Sequence, residues 1–321
     1  MRAVDLFFVL VLGLLFGGYL VLDGFDIGSG MLVRPLGRTE WERRAMITAF
    51  GPFLLANEVW LVATGGVLFG AFPLLEKEML GELRALVWPL LVVWMVRDVA
   101  VWSRSRLPGV RWRGWWDVVL AVSSTVFAAG WGMLIANLLV RFGGGGADFP
   151  VYGWFSLLWA VTMVAVFAGH GAVFLTTRLP QVLAAAVAVT ARRVLPGGAG
   201  LLTVATVVTV VAGVLPQRTG ALVPAALAGL VVSAAPLAAR ALLDKGRSGP
   251  ALAMTAGAVV GPLLVLATTG ADSVRTAAAD MASLSALGGI TAVVLPVVMI
   301  GQVYLWWVFR HRVDDRSVVF F

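Results

Sequence analysis

Long apolar stretches alternate with short, arginine-rich connections along this chain, and that alternation decides what it can fold into. A bilayer-crossing helix needs about 20 apolar residues. Nine stretches qualify, near residues 6–24, 46–73, 83–102, 117–140, 152–177, 199–215, 221–239, 249–270 and 285–309. Inside hydrocarbon the backbone must satisfy its own hydrogen bonds, so each stretch is expected to be helical. The expected fold is an all-α polytopic membrane protein with nine transmembrane helices. Only 13% of the 321 residues are charged, against about 25% in soluble domains.

The basic residues supply an independent count. Arg34, Arg38, Arg43 and Arg44 follow the first stretch, and Arg97, Arg104, Arg106, Arg111 and Arg113 the third. Arg178, Arg192 and Arg193 follow the fifth, Arg240, Lys245 and Arg247 the seventh, and Arg310, Arg312 and Arg316 the ninth. The opposite side holds only Arg2, Lys77, Arg84, Arg141, Arg218 and Arg275. The positive-inside rule then sets the N-terminus outside and the C-terminus in the cytoplasm. Arg2, offset by Asp5, precedes the first stretch without a small-residue cleavage pattern, so that stretch reads as a retained span. The net charge of +7 is dispersed over these connections, with no basic domain to hold nucleic acid. Cysteine is absent, which excludes thiolate chemistry and disulfides. With only His170 and His311, a multi-histidine metal or haem site within this chain is not expected.

Glu58 lies inside the second apolar stretch, in Asn57-Glu58-Val59-Trp60. A charged residue at the centre of a spanning helix costs roughly 2.5–3.5 kcal/mol on insertion scales, so its presence asks for a partner or a use. Counting inward from Ala45 at about 1.5 Å per residue puts it about 20 Å deep, near the bilayer midplane. Asp23 and Asp26 end the first stretch, and their spacing of three sets both carboxylates on one helix face. Gly24, Gly28 and Gly30 argue against a continuous helix there. Arg97 and Asp98 are adjacent, so they point to different faces and Arg97 is a candidate partner for Asp23 or Asp26. A snorkelling interfacial arginine is the plainer reading. Asp117 follows Trp112, Trp115 and Trp116, an interfacial aromatic belt, and reads as structural. His170 sits between two glycines, where a hydrogen-bonded packing role is preferred over haem ligation or proton transfer.

All tryptophans except Trp306 and Trp307 lie at or before Trp159, while residues 181–300 are mostly Ala, Val, Leu and Gly. The chain is therefore divided into 1–140, the polar and Trp-rich half expected to carry function, 141–270 as close-packed scaffold, and 271–321 as the ninth helix and tail. The run Gly143 to Gly146 reads as a flexible outside loop. It lacks the lysine and strand–helix context of a phosphate cradle.

Four stretches carry a family resemblance: GYLVLDGFDIGSGML at 18–32, ERRAMITAFGP at 42–52, NEVWLVATGGVLFGAFP at 57–73 and RWRGWWD at 111–117. HGAVFLTTR at 170–178 adds a weaker fifth. Together they resemble subunit II of the cytochrome bd-type quinol oxidases, over about residues 6–180. The resemblance implies two four-helix bundles plus one peripheral helix, in a bacterial cytoplasmic membrane. It implies a haem-free chain paired with subunit I, which would hold haems b and d and oxidise quinol while dioxygen is reduced to water. A small accessory subunit and a quinone are further implied associates. Where the family carries Trp-Asp-Gly before the asparagine, this chain has Leu54, Leu55 and Ala56, so the aspartate's proton-route role has no residue at Leu55. Glu58 is three residues on, near the same helix face, and is the candidate to take that role. Asn57, Asp23, Asp26, Trp60, Arg97 and Asp98 complete the candidate proton-route or subunit-interface set. No catalytic or metal residue is expected in the chain itself.

Two other readings remain distinct. A proton-coupled secondary transporter would show paired broken helices in both halves, whereas the polar interruptions here concentrate in one. A purely structural assembly subunit would have the same sequence pattern without a proton route.

Overall fold

The computed structural model describes residues 3–216, 219–269 and 277–314; Arg2, Arg218, Arg275 and Arg316 of the sequence reading lie outside them. Eleven α-helices are present among the described residues, and no strand. They are α1 (Ala3–Leu36), α2 (Glu40–Phe50), α3 (Leu54–Ala71), α4 (Pro73–Glu82), α5 (Arg84–Arg104) and α6 (Val110–Phe142). Then follow α7 (Trp154–Arg178), α8 (Gln181–Val211), α9 (Thr219–Asp244), α10 (Ser248–Thr269) and α11 (Met281–Val308). Nine of these are long and apolar enough to cross a membrane, all but the short α2 and α4.

Three expectations need correction. First, α1 runs unbroken through Gly24, Gly28 and Gly30. The glycines serve packing instead of a break: a Cβ on Gly28 would lie 1.9 Å from the Phe167 carbonyl oxygen, and one on Gly171 2.3 Å from the Gly28 carbonyl carbon. Small residues let α1 and α7 touch backbone to backbone, the close packing that drives helix association where lipid is as apolar as the side chains.

Second, the stretch at 46–73 is two helices. Residues 51–53 form a turn that ends α2 and starts α3 at Leu54. Glu58 is therefore only four residues into α3, about 6 Å along its axis, and the depth counted from Ala45 does not hold. The short α2 opens with a capping box. Thr39 Oγ1 accepts from the Glu42 N–H, and Glu42 Oε2 accepts from the Thr39 N–H.

Third, the sixth spanning helix begins at Gln181, not near 199, so Arg192 and Arg193 are helical. The Ala-rich segment before 199 has high helix propensity and extends the span past the bilayer. In the same way, α6 takes in Trp112, Trp115 and Trp116. The glycine run at 143–146 is tied down: the Gly145 N–H donates to the Val214 carbonyl, and Gly144 and Gly146 take positive φ at the bend.

At the centre, α1 packs against α3, α6 and α7 and also touches α10; α7 in turn packs against α8 and α10, and α9 against α10. The edge helix is α11. Only 11% of its apolar window is buried, and it leans mainly on α3.

Candidate functional site

Three of the candidate carboxylates, Asp23, Glu58 and Asp98, converge on one buried guanidinium. Arg97, from α5, is 1% exposed, and its Nη2 lies 2.8 Å from Asp23 Oδ1 on α1 and 2.9 Å from Glu58 Oε1 on α3. The contact to Asp23 is a close ion pair poorly aligned for a hydrogen bond, whereas Nη2 donates to Glu58 in good alignment. Arg97 Nε also reaches Asp98 Oδ1 at 3.3 Å, so the adjacent pair, which sequence spacing did not require to meet, does interact. Arg97 pairs with Asp23 and not with Asp26. The guanidinium carbon also lies 5.2 Å from the Phe127 ring centroid, a cation–π contact.

Neighbouring side chains hold this centre in place. Tyr19 Oη donates to Asp23 Oδ2 at 2.8 Å, one helical turn back on α1. The Trp94 indole donates to Glu58 Oε1 at 2.8 Å. Asn57 Nδ2 donates to Asp26 Oδ2 at 2.7 Å and to the Leu22 carbonyl at 3.0 Å. Gln302 of α11 closes the arrangement by donating to Asn57 Oδ1 at 2.9 Å and accepting from the Trp60 indole at 3.2 Å. Asp26 Oδ1 and Arg97 Nη1 have no hydrogen-bond partner among the described residues. The seven candidates thus fall into two adjacent clusters, Arg97 with Asp23, Glu58 and Asp98, and Asn57 with Asp26 and, through Gln302, Trp60; Tyr19 and Trp94 join the first and Gln302 the second, unanticipated. Gln302 had a readable signal, being an amide inside a long apolar stretch; Tyr19 and Trp94 looked like ordinary membrane aromatics.

The network is asymmetric in charge and in access. Three carboxylates contact one arginine, with Asp26 close by. Asp23 and Asp26 are sealed, while the Asp98 side chain is 21% exposed at the outer edge of α5. Leu55 points outward at 57% exposed whereas Glu58 is 6% exposed, so the two do not share a face in practice. Three residues turn a helix by about 300°, and here that step carries the chain from the outer surface to the interior.

A second network joins the ends of α2, α5 and α6. Asp117 is fully buried; Arg104 Nε lies 2.5 Å and Arg43 Nε 2.9 Å from its two oxygens. Glu40 pairs with Arg104 at 3.1 Å, Arg113 at 3.0 Å and Arg43 at 3.5 Å. Partial burial pushes the Glu40 carboxyl up, but Arg104 and Arg113 outweigh it and hold it below its ordinary value.

His170 is fully buried with both ring nitrogens engaged, Nδ1 at 2.8 Å from Thr255 Oγ1 and Nε2 at 3.0 Å from the Val21 carbonyl. The carbonyl can only accept, so Nε2 carries the proton. The ring ties α1, α7 and α10 together, and no nitrogen is left to ligate a haem; this position does not fit an axial ligand.

Nine apolar helices among the described residues, with ionisable groups buried between α1, α3 and α5, define an integral membrane protein that holds charge inside it. The chain belongs to the cytochrome bd terminal oxidase subunit II family, whose model matches residues 4–309. It is 34% identical over 179 residues to the cytochrome bd-I ubiquinol oxidase subunit 2 of Escherichia coli K12, covering 53% of this chain and 47% of that one. It is 36% identical over 181 residues to the cytochrome bd ubiquinol oxidase subunit 2 of Bacillus subtilis, covering 54% and 53%. These matches span about half the length of those curated relatives. A solved structure, that of bd oxidase from Geobacillus thermodenitrificans, shares the fold at a TM-score of 0.72 and 14% identity, covering 96% of this chain and 99% of the other.

Proposed function

We propose that this chain is the haem-free subunit II of a membrane quinol oxidase, and that its Arg97-centred network takes up and holds protons for the reduction of dioxygen in a haem-bearing partner. Family membership supports the assembly. The observation that carries the proton role is the ratio of three carboxylates to one buried arginine. Fully ionised, such a group carries excess negative charge in an apolar setting, which is costly; binding a proton relieves it. Asp98 gives the network an opening on the α5 edge, beside an outward apolar face that includes Leu55, Val62, Val92 and Met95, where the partner subunit would pack. Residues 1–140 and 141–270 would form the two bundles, with α11 peripheral. The arginine-rich connections would face the cytoplasm and supply the protons.

Two measurements test this. Co-expression with the neighbouring haem-subunit gene should give a complex with haem absorbance and quinol-dependent oxygen consumption; a chain that binds haem alone or transports solute without a partner overturns the assignment. In the assembled complex, Glu58→Gln keeps shape and hydrogen bonding but removes a titratable group. The expected result is oxygen reduction slowed by about a hundredfold, the lower end of what one positioned proton-transfer group contributes, with an altered pH profile. Unchanged rate and pH dependence would make the network a structural brace and the chain an assembly subunit.

A further inference from the structure

The last residue of α7, Arg178, is 6% exposed, and its guanidinium carbon lies 5.2 Å from the ring centroid of Phe53 in the α2–α3 turn. Its Nε is buried with no hydrogen-bond partner, and no carboxylate among the described residues pairs with it. Every other buried arginine described has one: Arg97 has three, and Arg104 two. The C-terminal tail crosses this spot. The Val313 N–H donates to the Arg178 carbonyl at 2.8 Å, and Arg312 Nη1 donates to the Leu179 carbonyl at 2.5 Å. The backbone of Val313 thus meets that of Arg178, and the Arg312 guanidinium caps the carbonyl of the next residue, Leu179.

A nearly buried cation without an anion is costly, because its desolvation is uncompensated. The terminal carbonyls of α7 offset part of that cost, yet Nε still lacks an acceptor. Location says what supplies it. At 25 residues α7 is about 37 Å long, longer than a hydrocarbon core of about 30 Å, so Arg178 lies at headgroup level. The same end of α11 carries Tyr304 and Trp307, both exposed, with Arg310 stacked over Trp307 at 5.3 Å; aromatic and basic side chains anchor helices at this level.

We propose that Arg178 and Arg312 form a site for the phosphate of an anionic lipid headgroup, which pins the C-terminal tail and the edge helix α11 to the end of α7. Arginine suits phosphate because its planar donor fork matches the oxygens. The proposal is independent of the oxidase reading.

The test uses the full-length chain, with any subunit that co-purifies, delipidated in detergent and followed by thermal unfolding. Phosphatidylglycerol should raise the Tm by several degrees and phosphatidylcholine should not. Arg178→Gln and Arg312→Gln should each lose most of that shift, while Arg178→Lys keeps part of it and Arg106→Gln, on another basic connection, keeps all. Should Arg178→Gln fail to fold, the exposed Arg312→Gln carries the test alone. Inorganic phosphate without lipid should leave Tm nearly unchanged; an equal shift would assign the site to a soluble phosphate and overturn the lipid source. A phosphatidylglycerol shift that survives in Arg312→Gln, or one matched by phosphatidylcholine, overturns the site.

Discussion

Two buried charge networks sit in the first half of this chain, and they are built in opposite proportion. Around Arg97, three carboxylates contact one arginine. Around Asp117, three arginines share two carboxylates. The second carries one arginine in excess, lies partly exposed at Glu40 and Arg113, and joins the ends of three helices, which suits a clamp. The first carries two carboxylates in excess and sits among spanning helices, where an uncompensated charge is hardest to keep. Under the proposed proton role, the difference separates charge that holds a fold from charge kept in readiness to change.

The sharpest way to break the comparison is to unbalance the clamp. Asp117→Ala would leave Arg104 buried without its main partner, and breaking a buried pair by removing one member costs about 3–5 kcal/mol. The expected result is loss of most folded protein on extraction, read as size-exclusion yield and Tm. Near-normal yield would show that Glu40 alone holds the arginines.

Gln302→Leu should cost less. It keeps every charge but strips Asn57 Oδ1 and the Trp60 indole of partners. Leaving a buried polar group unsatisfied costs about 1–3 kcal/mol, although interhelical hydrogen bonds in membranes average about 0.6 kcal/mol in measured cycles. A Tm lowered by a few degrees is expected, with the helix count by circular dichroism intact. A Tm equal to that of the unaltered chain would mean that α11 is held by its tail and not by its amide.

These networks also show where the sequence was legible. The nine spans could be counted because hydrocarbon forces long apolar runs, and five of them, those of α5, α7, α9, α10 and α11, match the apolar runs to within five residues at both ends. The break at 51–53 did leave a signal in Gly51-Pro52, a turn-marking pair, but spanning helices tolerate Gly and Pro, so the pair alone does not decide between a kink and a turn. Glu58, Asp23 and Arg97 stood out because ionisable groups are rare among apolar neighbours. Their pairing was foreseeable for Arg97 with Asp23, but the choice of Asp23 over Asp26 depends on helix rotation, which spacing alone does not set. The Asp117 clamp escaped notice as a network because its members, Glu40, Arg43, Arg104 and Arg113, looked like ordinary charges of cytoplasmic connections. Composition cannot distinguish a solvated arginine from one folded onto a buried carboxylate.

The mildest prediction concerns Glu40, the half-exposed member of the clamp. Its carboxyl is held below its ordinary value by Arg104 and Arg113 against the opposing effect of burial. A group whose folded-state value is depressed stabilises the fold fully above its unfolded value, near 4.3, and loses that contribution as pH falls through the folded value. Between pH 6 and 8 the Tm should therefore be insensitive to Glu40, and Glu40→Gln should lower it only by the worth of exposed pairs, about 0–1 kcal/mol. Below about pH 4.3 the difference between Glu40→Gln and the unaltered chain should shrink, because protonation makes the native side chain resemble the amide. A difference that instead grows on acidification would mean that Glu40 is protonated in the fold and that the clamp is not the counterpart of the Arg97 network.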